Sequence, residues 1–467
     1  MQSPARIRRI KIKVPDEIEA ALHAADEPVR VPLETMVWRL VPPPHPRYSY
    51  RPHLRQGRAS GGALGDVLYL FGGFEDNGQR SNRVVTYDVE SREWATVECS
   101  GKMPAPRYGH ACAIRPEARE LWLFGGQGPE EGLNAKNIFD DLSILDLSTR
   151  MWRRGVVSCA GADGHVNFVP QARRGHSLVL YKEMLYVFGG SGLDRMTNKD
   201  EYFGDLQRLD LATLCWYEPA MTGTIPEPRS HHSALMVAKY MIVFGGQTTR
   251  TKLPSPERAR NSITPEAPDT GLTSNNVYAL DVESCHWHVV APLDGTPPAP
   301  RYGHVMQAHP SNGLCLFLFG GKTSHGYDDG QIHCLDLELK RWSSLTCLEP
   351  IPPRIRHVFS LLKNEMMIFG GCGDNGLCIG DVFRIEIPEL PSPASLDLFS
   401  EPPKDDSARQ PAAPTAPRPH TIGGFMGFKS FQFTPARPEV TKSCIRVSPI
   451  KVAKPPAVTK PWTPVVL

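Results

Sequence analysis

An apolar run ending in Phe-Gly-Gly is written six times in this chain. The glycine pairs Gly72-Gly73, Gly125-Gly126, Gly189-Gly190, Gly245-Gly246, Gly320-Gly321 and Gly370-Gly371 lie 53, 64, 56, 75 and 50 residues apart. A period of that size means that one supersecondary unit recurs and that neighbouring units bury each other's apolar faces. Two further phrases keep step with it. PAPRYGH stands at 104–110 and again at 298–304, ending 15 and 16 residues before a glycine pair. An Asp is followed six residues later by Trp at Asp88 and Trp94, Asp146 and Trp152, Asp210 and Trp216, Asp281 and Trp287, and Asp336 and Trp342.

Each phrase reads as part of a small antiparallel sheet. VLYLF, LWLF and MLYVF before Gly72, Gly125 and Gly189 are short, apolar and rich in β-branched or aromatic residues, as strands buried on both faces require. Two successive glycines reverse the chain in little space, because glycine takes positive φ without the clash of a Cβ. The Asp can accept backbone N–H groups and start a turn. The fixed step to Trp then fits a tight hairpin whose far strand carries a ring to fill the wedge between neighbouring sheets.

In combination, R-x-G-H, FGG and D-x5-W resemble the kelch repeat family over about residues 37–387. The resemblance implies an all-β fold, a six-bladed β-propeller of four-stranded antiparallel blades. PAPRYGH then begins the innermost strand of two different blades. The last FGG leads to GDVFRIEI with no Trp, whereas Trp38 has no FGG before it. The N-terminal strand around Trp38 is therefore expected to complete the sixth blade and latch the ring, which removes exposed sheet edges. Departures from the pattern fall in three places. The first blade's motif is best placed at Arg55, with Arg58 in the histidine position, Arg356 replaces the glycine in RIRH, and Glu386 stands where an Asp is expected.

Three segments lie outside the pattern. Residues 1–36 form a basic arm with five cations between Arg6 and Lys13; 247–275 are a polar, proline-containing insert in the fourth blade; 388–467 are a Pro-rich tail. The insert and the tail have compositions too poor in apolar residues to fold alone, and are expected to be disordered. In the tail Ser392, Thr434, Ser448 and Thr463 precede proline, every charge after Glu439 is basic, and the terminal Val465-Val466-Leu467 is a weak match to carboxylate-binding modules. With 52 Lys and Arg against 50 Asp and Glu, the charge balance disfavours nucleic acid as a partner. No run is long enough to span a membrane and no signal-peptide core is seen. The 11 cysteines lack C-x-x-C spacing, so the expected compartment is a reducing one, cytoplasmic or alternatively nuclear.

Histidines recur at His110, His176, His231, His232, His304 and His357, and kelch-fold metal enzymes such as galactose oxidase exist. A repeat position gives each histidine the same local role in its own blade, so no metal, cofactor or catalysis is expected. The chain reads as a monomeric, non-enzymatic adaptor or scaffold that binds a protein or peptide. The alternatives are a substrate receptor of a cullin-type ubiquitin ligase, for which SLDLFSEPP at Ser395 is a proline-broken echo of an elongin-recruiting box, and, behind it, a kelch-fold metal enzyme. By resemblance to kelch substrate receptors, the motif arginines Arg55, Arg107, Arg173, Arg229, Arg301 and Arg354 are expected to ring one mouth of the channel. With Tyr108 and Tyr302 beside them, they would hold an acidic or C-terminal carboxylate peptide through their guanidinium forks.

Overall fold

The computed structural model describes residues 59–393 and 398–399, apart from 76–77, 131–136, 157–168, 195–198, 249–271, 329, 346–350, 363–364, 375–377, 388–389 and 391. The chain divides after Ser400, and every described residue belongs to the first unit.

Six sheets follow one another as the blades of a propeller, antiparallel except for a two-residue parallel edge strand on the second, Ser100–Gly101, and on the fourth, Thr222–Gly223. The first is Ser60–Leu64, Val67–Phe71, Val84–Asp88 and Glu93–Val97; the second is Ala111–Arg115, Glu120–Phe124, Leu142–Asp146 and Met151–Arg154. The third is Ser177–Tyr181, Met184–Phe188, Leu206–Asp210 and Cys215–Tyr217; the fourth is Ser233–Val237, Tyr240–Phe244, Val277–Asp281 and His286–Val289. The fifth is Val305–Ala308, Cys315–Phe319, Ile332–Asp336 and Arg341–Leu345, and the sixth is Val358–Leu362, Glu365–Phe369 and Val382–Glu386. The strand that follows each R-x-G-H neighbours its counterparts in adjacent blades, so these strands line the centre.

The D-x5-W phrase has one local cause, repeated five times. Oδ1 of Asp88, Asp146, Asp210, Asp281 and Asp336 accepts the backbone N–H groups two and three residues on. The fifth residue of each turn, Arg92, Arg150, Leu214, Cys285 or Lys340, has φ between 50° and 62°, which swings the chain into the outer strand. Trp must then come two residues later to face the neighbouring blade. There it meets the FGG phenylalanine of the preceding blade. Phe71 with Trp152, Phe124 with Trp216, Phe188 with Trp287 and Phe244 with Trp342 have centroids 5.0 to 5.5 Å apart. Phe369 with Trp94, at 4.3 Å, joins the sixth blade to the first, and Leu68, Leu70 and Tyr87 share a core with Leu362 and Met367. The ring is closed by this interface.

Phe319 is the remaining phenylalanine, for which the repeat order leads one to expect Trp38 as partner. The proposed latch, residues 37–40, the basic arm and Arg55 all lie outside the described residues. Two expected boundaries shift. The ends of the insert are paired, Gln247–Thr248 with Leu272–Thr273 on one side and with Arg229–Ser230 on the other. Contacts with the propeller extend beyond residue 388: Leu390, Leu398 and Phe399 pack against it.

Candidate functional site

The five described motif arginines do not face the channel mouth, which corrects the expectation for Arg107, Arg173, Arg229, Arg301 and Arg354. Their exposure is 1%, 1%, 1%, 2% and 0%. Each Nε donates to the carbonyl two residues earlier, at 3.0 or 3.1 Å. Each Nη1 donates to the first glycine carbonyl of its own FGG turn, at 2.8 to 3.1 Å. Asp141, Asp205 and Asp381 close the fork of Arg107, Arg173 and Arg354 with two bonds each, and Asp328 pairs with Arg301 at 2.6 Å. In the fourth blade Asn276 stands where the second, third and sixth blades have the aspartate, and Arg229 lies over the Tyr278 ring at 4.9 Å. Burial pushes its pKa below the usual arginine range. These arginines rivet the glycine turn, and their donors are used within the blade.

Their carbonyls tie the blades together. The second glycine of the first five turns donates to the arginine carbonyl of the next blade, from Gly73 to Arg107 at 2.8 Å through Gly321 to Arg354 at 3.0 Å. A Cβ on Gly125 would stand 2.6 Å from the Arg173 oxygen, so only glycine permits the approach. The motif histidines complete this seam. His110 and His304 bond through Nε2 to the Phe71 and Phe244 carbonyls of the preceding blade, at 3.1 and 3.2 Å, and His232 bonds to Ser177. Burial, and then the neighbouring arginine, hold His110, His232 and His357 down to about 3, with His176 and His304 also well below the usual range. Neutral and distributed between blades, they are packing residues, and no group of three or more metal-ligating side chains occurs among the described residues.

What does face the channel comes from the two middle positions of R-x-G-H. The third residues of successive motifs are chained around the centre by backbone bonds: Gly175 N–H to the Gly109 carbonyl, His231 to Gly175, Gly303 to His231 and Arg356 to Gly303, at 2.7 to 2.9 Å. Every residue in this chain has left-handed φ, 64° to 69° for the glycines, 57° for His231 and 54° for Arg356. For residues with a Cβ that conformation costs about 1 to 2 kcal/mol each. The two side chains meet although they are 125 residues apart in sequence: Arg356 Nη2 donates to His231 Nε2 at 3.2 Å, which leaves Nδ1–H to donate to Ser230 Oγ at 3.0 Å.

The second positions supply Tyr108, Arg174 and Tyr302, all half-buried. Tyr108 donates to Gln127 Oε1 at 2.6 Å, and Arg174 bonds the same oxygen and Asp200. Tyr108 also lies 4.6 Å from the Phe74 ring, with Arg80 over both rings. Tyr302 faces His231 with centroids 6.4 Å apart. The mouth thus gathers Arg80, Arg174 and Arg356 with aromatic walls. Of these residues the sequence reading had named Tyr108 and Tyr302; Arg174 and the partnership of His231 with Arg356 were missed. The usable signal was the replacement of the motif glycine in two blades.

A closed ring of sheets joined by glycine turns, buried arginines and interblade histidines defines a kelch-type β-propeller. The chain belongs to the kelch-repeat family: the family model described as the KLHDC2/KLHL20/DRC7 Kelch-repeats domain matches residues 23–165, 162–255 and 266–403. It is similar to Kelch domain-containing protein 1 of Mus musculus, 28% identical over 67% of this chain and 74% of the relative. It is also similar to the same protein of Homo sapiens, at 26% over 68% and 75%. Host cell factor 2 of Homo sapiens is 28% identical over 62% of this chain and 36% of its own length. The kelch-repeat family is generally non-catalytic, and its propellers generally bind proteins.

Proposed function

We propose that the protein is a non-enzymatic adaptor or scaffold that grips an acidic or C-terminal carboxylate peptide of a partner protein at the channel mouth, in a reducing compartment such as the cytoplasm. The observation that carries this reading is the pair His231 and Arg356, set in left-handed backbone where neighbouring blades have glycine. The other left-handed non-glycine residues sit in the turns that join strands, whereas these two lie at the channel, and strained backbone of this kind clusters at functional sites. A carboxylate approaching Arg356 would accept from its guanidinium while Tyr302 and Tyr108 supply rigid contact area; Arg174 adds a second cation on the same rim.

The test is the double variant His231→Gly and Arg356→Gly. Restoring glycine removes the backbone strain, so stability should be unchanged or raised by about 1 to 2 kcal/mol for each site. The partners captured by the wild-type protein in cells, read by proximity labelling, should be lost. An unchanged set of partners in the folded variant would refute the assignment.

A further inference from the structure

A second surface lies away from the channel, at the outer rim of the wedge between the fourth and fifth blades. His288 stands on the fourth blade's outer strand, and Trp342 on the fifth blade's outer strand points into the same core. Into this rim fits a pair of residues from beyond the last strand. Phe399 stacks on His288, with centroids 4.0 Å apart and planes 13° from parallel, and meets Tyr240 edge-on at 5.3 Å. Leu398 packs against the same core, and both side chains are half-buried. Two earlier contacts mark the route: Leu390 on the core between the fifth and sixth blades, and Ser392 Oγ donating to the Ser311 carbonyl at 3.5 Å.

The pair sits in a stretch, SPASLDLFSEPP, of otherwise small, polar or proline residues plus Leu396, and is flanked in sequence by Asp397 and Glu401. Lys239 Nζ lies 5.2 Å from the Tyr240 ring and pairs with Asp281 at 2.9 Å, so the charges bordering the rim are balanced and its recognition surface is the apolar and aromatic one. A flat ring stack plus one aliphatic side chain is the chemistry of a short linear motif, and half-burial leaves it open to exchange.

We propose that this rim is a second docking site, for an aliphatic-aromatic pair in a partner protein's extended segment, and that Leu398-Phe399 is its resident intramolecular ligand. The site does not depend on the channel-mouth reading. A tethered copy competes at an effective concentration near the millimolar range, so the partner engages when its own pair outcompetes or the resident pair is released.

The probe is a fluorescein-labelled peptide with the sequence of residues 392–403, titrated by anisotropy into the full chain. It should bind the variant Leu398→Ala, Phe399→Ala about tenfold more tightly than the wild type, because the resident competitor is gone. Adding His288→Ala to that variant should abolish binding, whereas adding His231→Gly and Arg356→Gly should leave it intact. Equal affinity for wild type and variant, binding to neither, or indifference to His288→Ala would overturn the proposal. Should the double alanine variant fail to fold, a fluorinated phenylalanine at position 399 of the full chain supplies the readout. Its resonance should move to the solvent-exposed value as excess unlabelled peptide is added, and a resonance that stays fixed at saturating peptide overturns the proposal equally.

Discussion

Acid should loosen this propeller well above the pH at which its carboxylates titrate, through the histidines buried between its blades. His110, His232 and His357 have folded pKa values of about 3, against 6.5 for a free imidazole. The unfolded chain therefore takes up these protons below about pH 6.5 while the folded chain refuses them. Stability from the neutral rings is complete above that pH and is lost as pH falls toward the folded values. At pH 5.5 each ring costs about 1.4 kcal/mol, so three cost about 4 kcal/mol. His176 and His304, depressed for the same reason, add in the same direction. Urea midpoints followed by tryptophan fluorescence from pH 7.5 to 5.5 should fall steeply at constant m. The variant His110→Asn removes one titrating group and should lower the proton uptake on unfolding by about one. A midpoint that is flat across this range, or a slope unchanged in His110→Asn, would refute the assignment of these rings as neutral interblade packing.

Substituting Arg173 by Ala should cost about 3 to 5 kcal/mol, since Asp205 and the Gly189 carbonyl lose a buried partner. Thermal or urea unfolding checks this, and a loss of binding with unchanged stability would return the motif arginines to the ligand site. Substituting Trp38 by Ala, or deleting residues up to Leu40, should destabilise the ring by about 3 to 5 kcal/mol if that ring meets Phe319 as its counterparts meet theirs. A truncated chain with the melting temperature of the full protein would rule out N-terminal closure.

The repeat phrases determined the architecture because each is a local necessity. A left-handed reversal needs Gly-Gly, an Asp organises the turn before each Trp, and six copies in fixed order imply six blades; Phe369 against Trp94 bears out closure of the ring. The destiny of the motif arginines was not local. Their position beside the channel was legible, but Asp141 lies 34 residues from Arg107 and Asp205 lies 32 from Arg173. Only packing decides that such a fork is filled from within the blade instead of by a ligand. The meeting of His231 with Arg356 and the stacking of Phe399 on His288 likewise join residues from different blades or from beyond the last one. Sequence alone marked Arg356 as a break in the pattern and counted His231 among the recurring histidines; the closed ring made the two a contacting pair, because curvature brings the third position of every blade to the same axis.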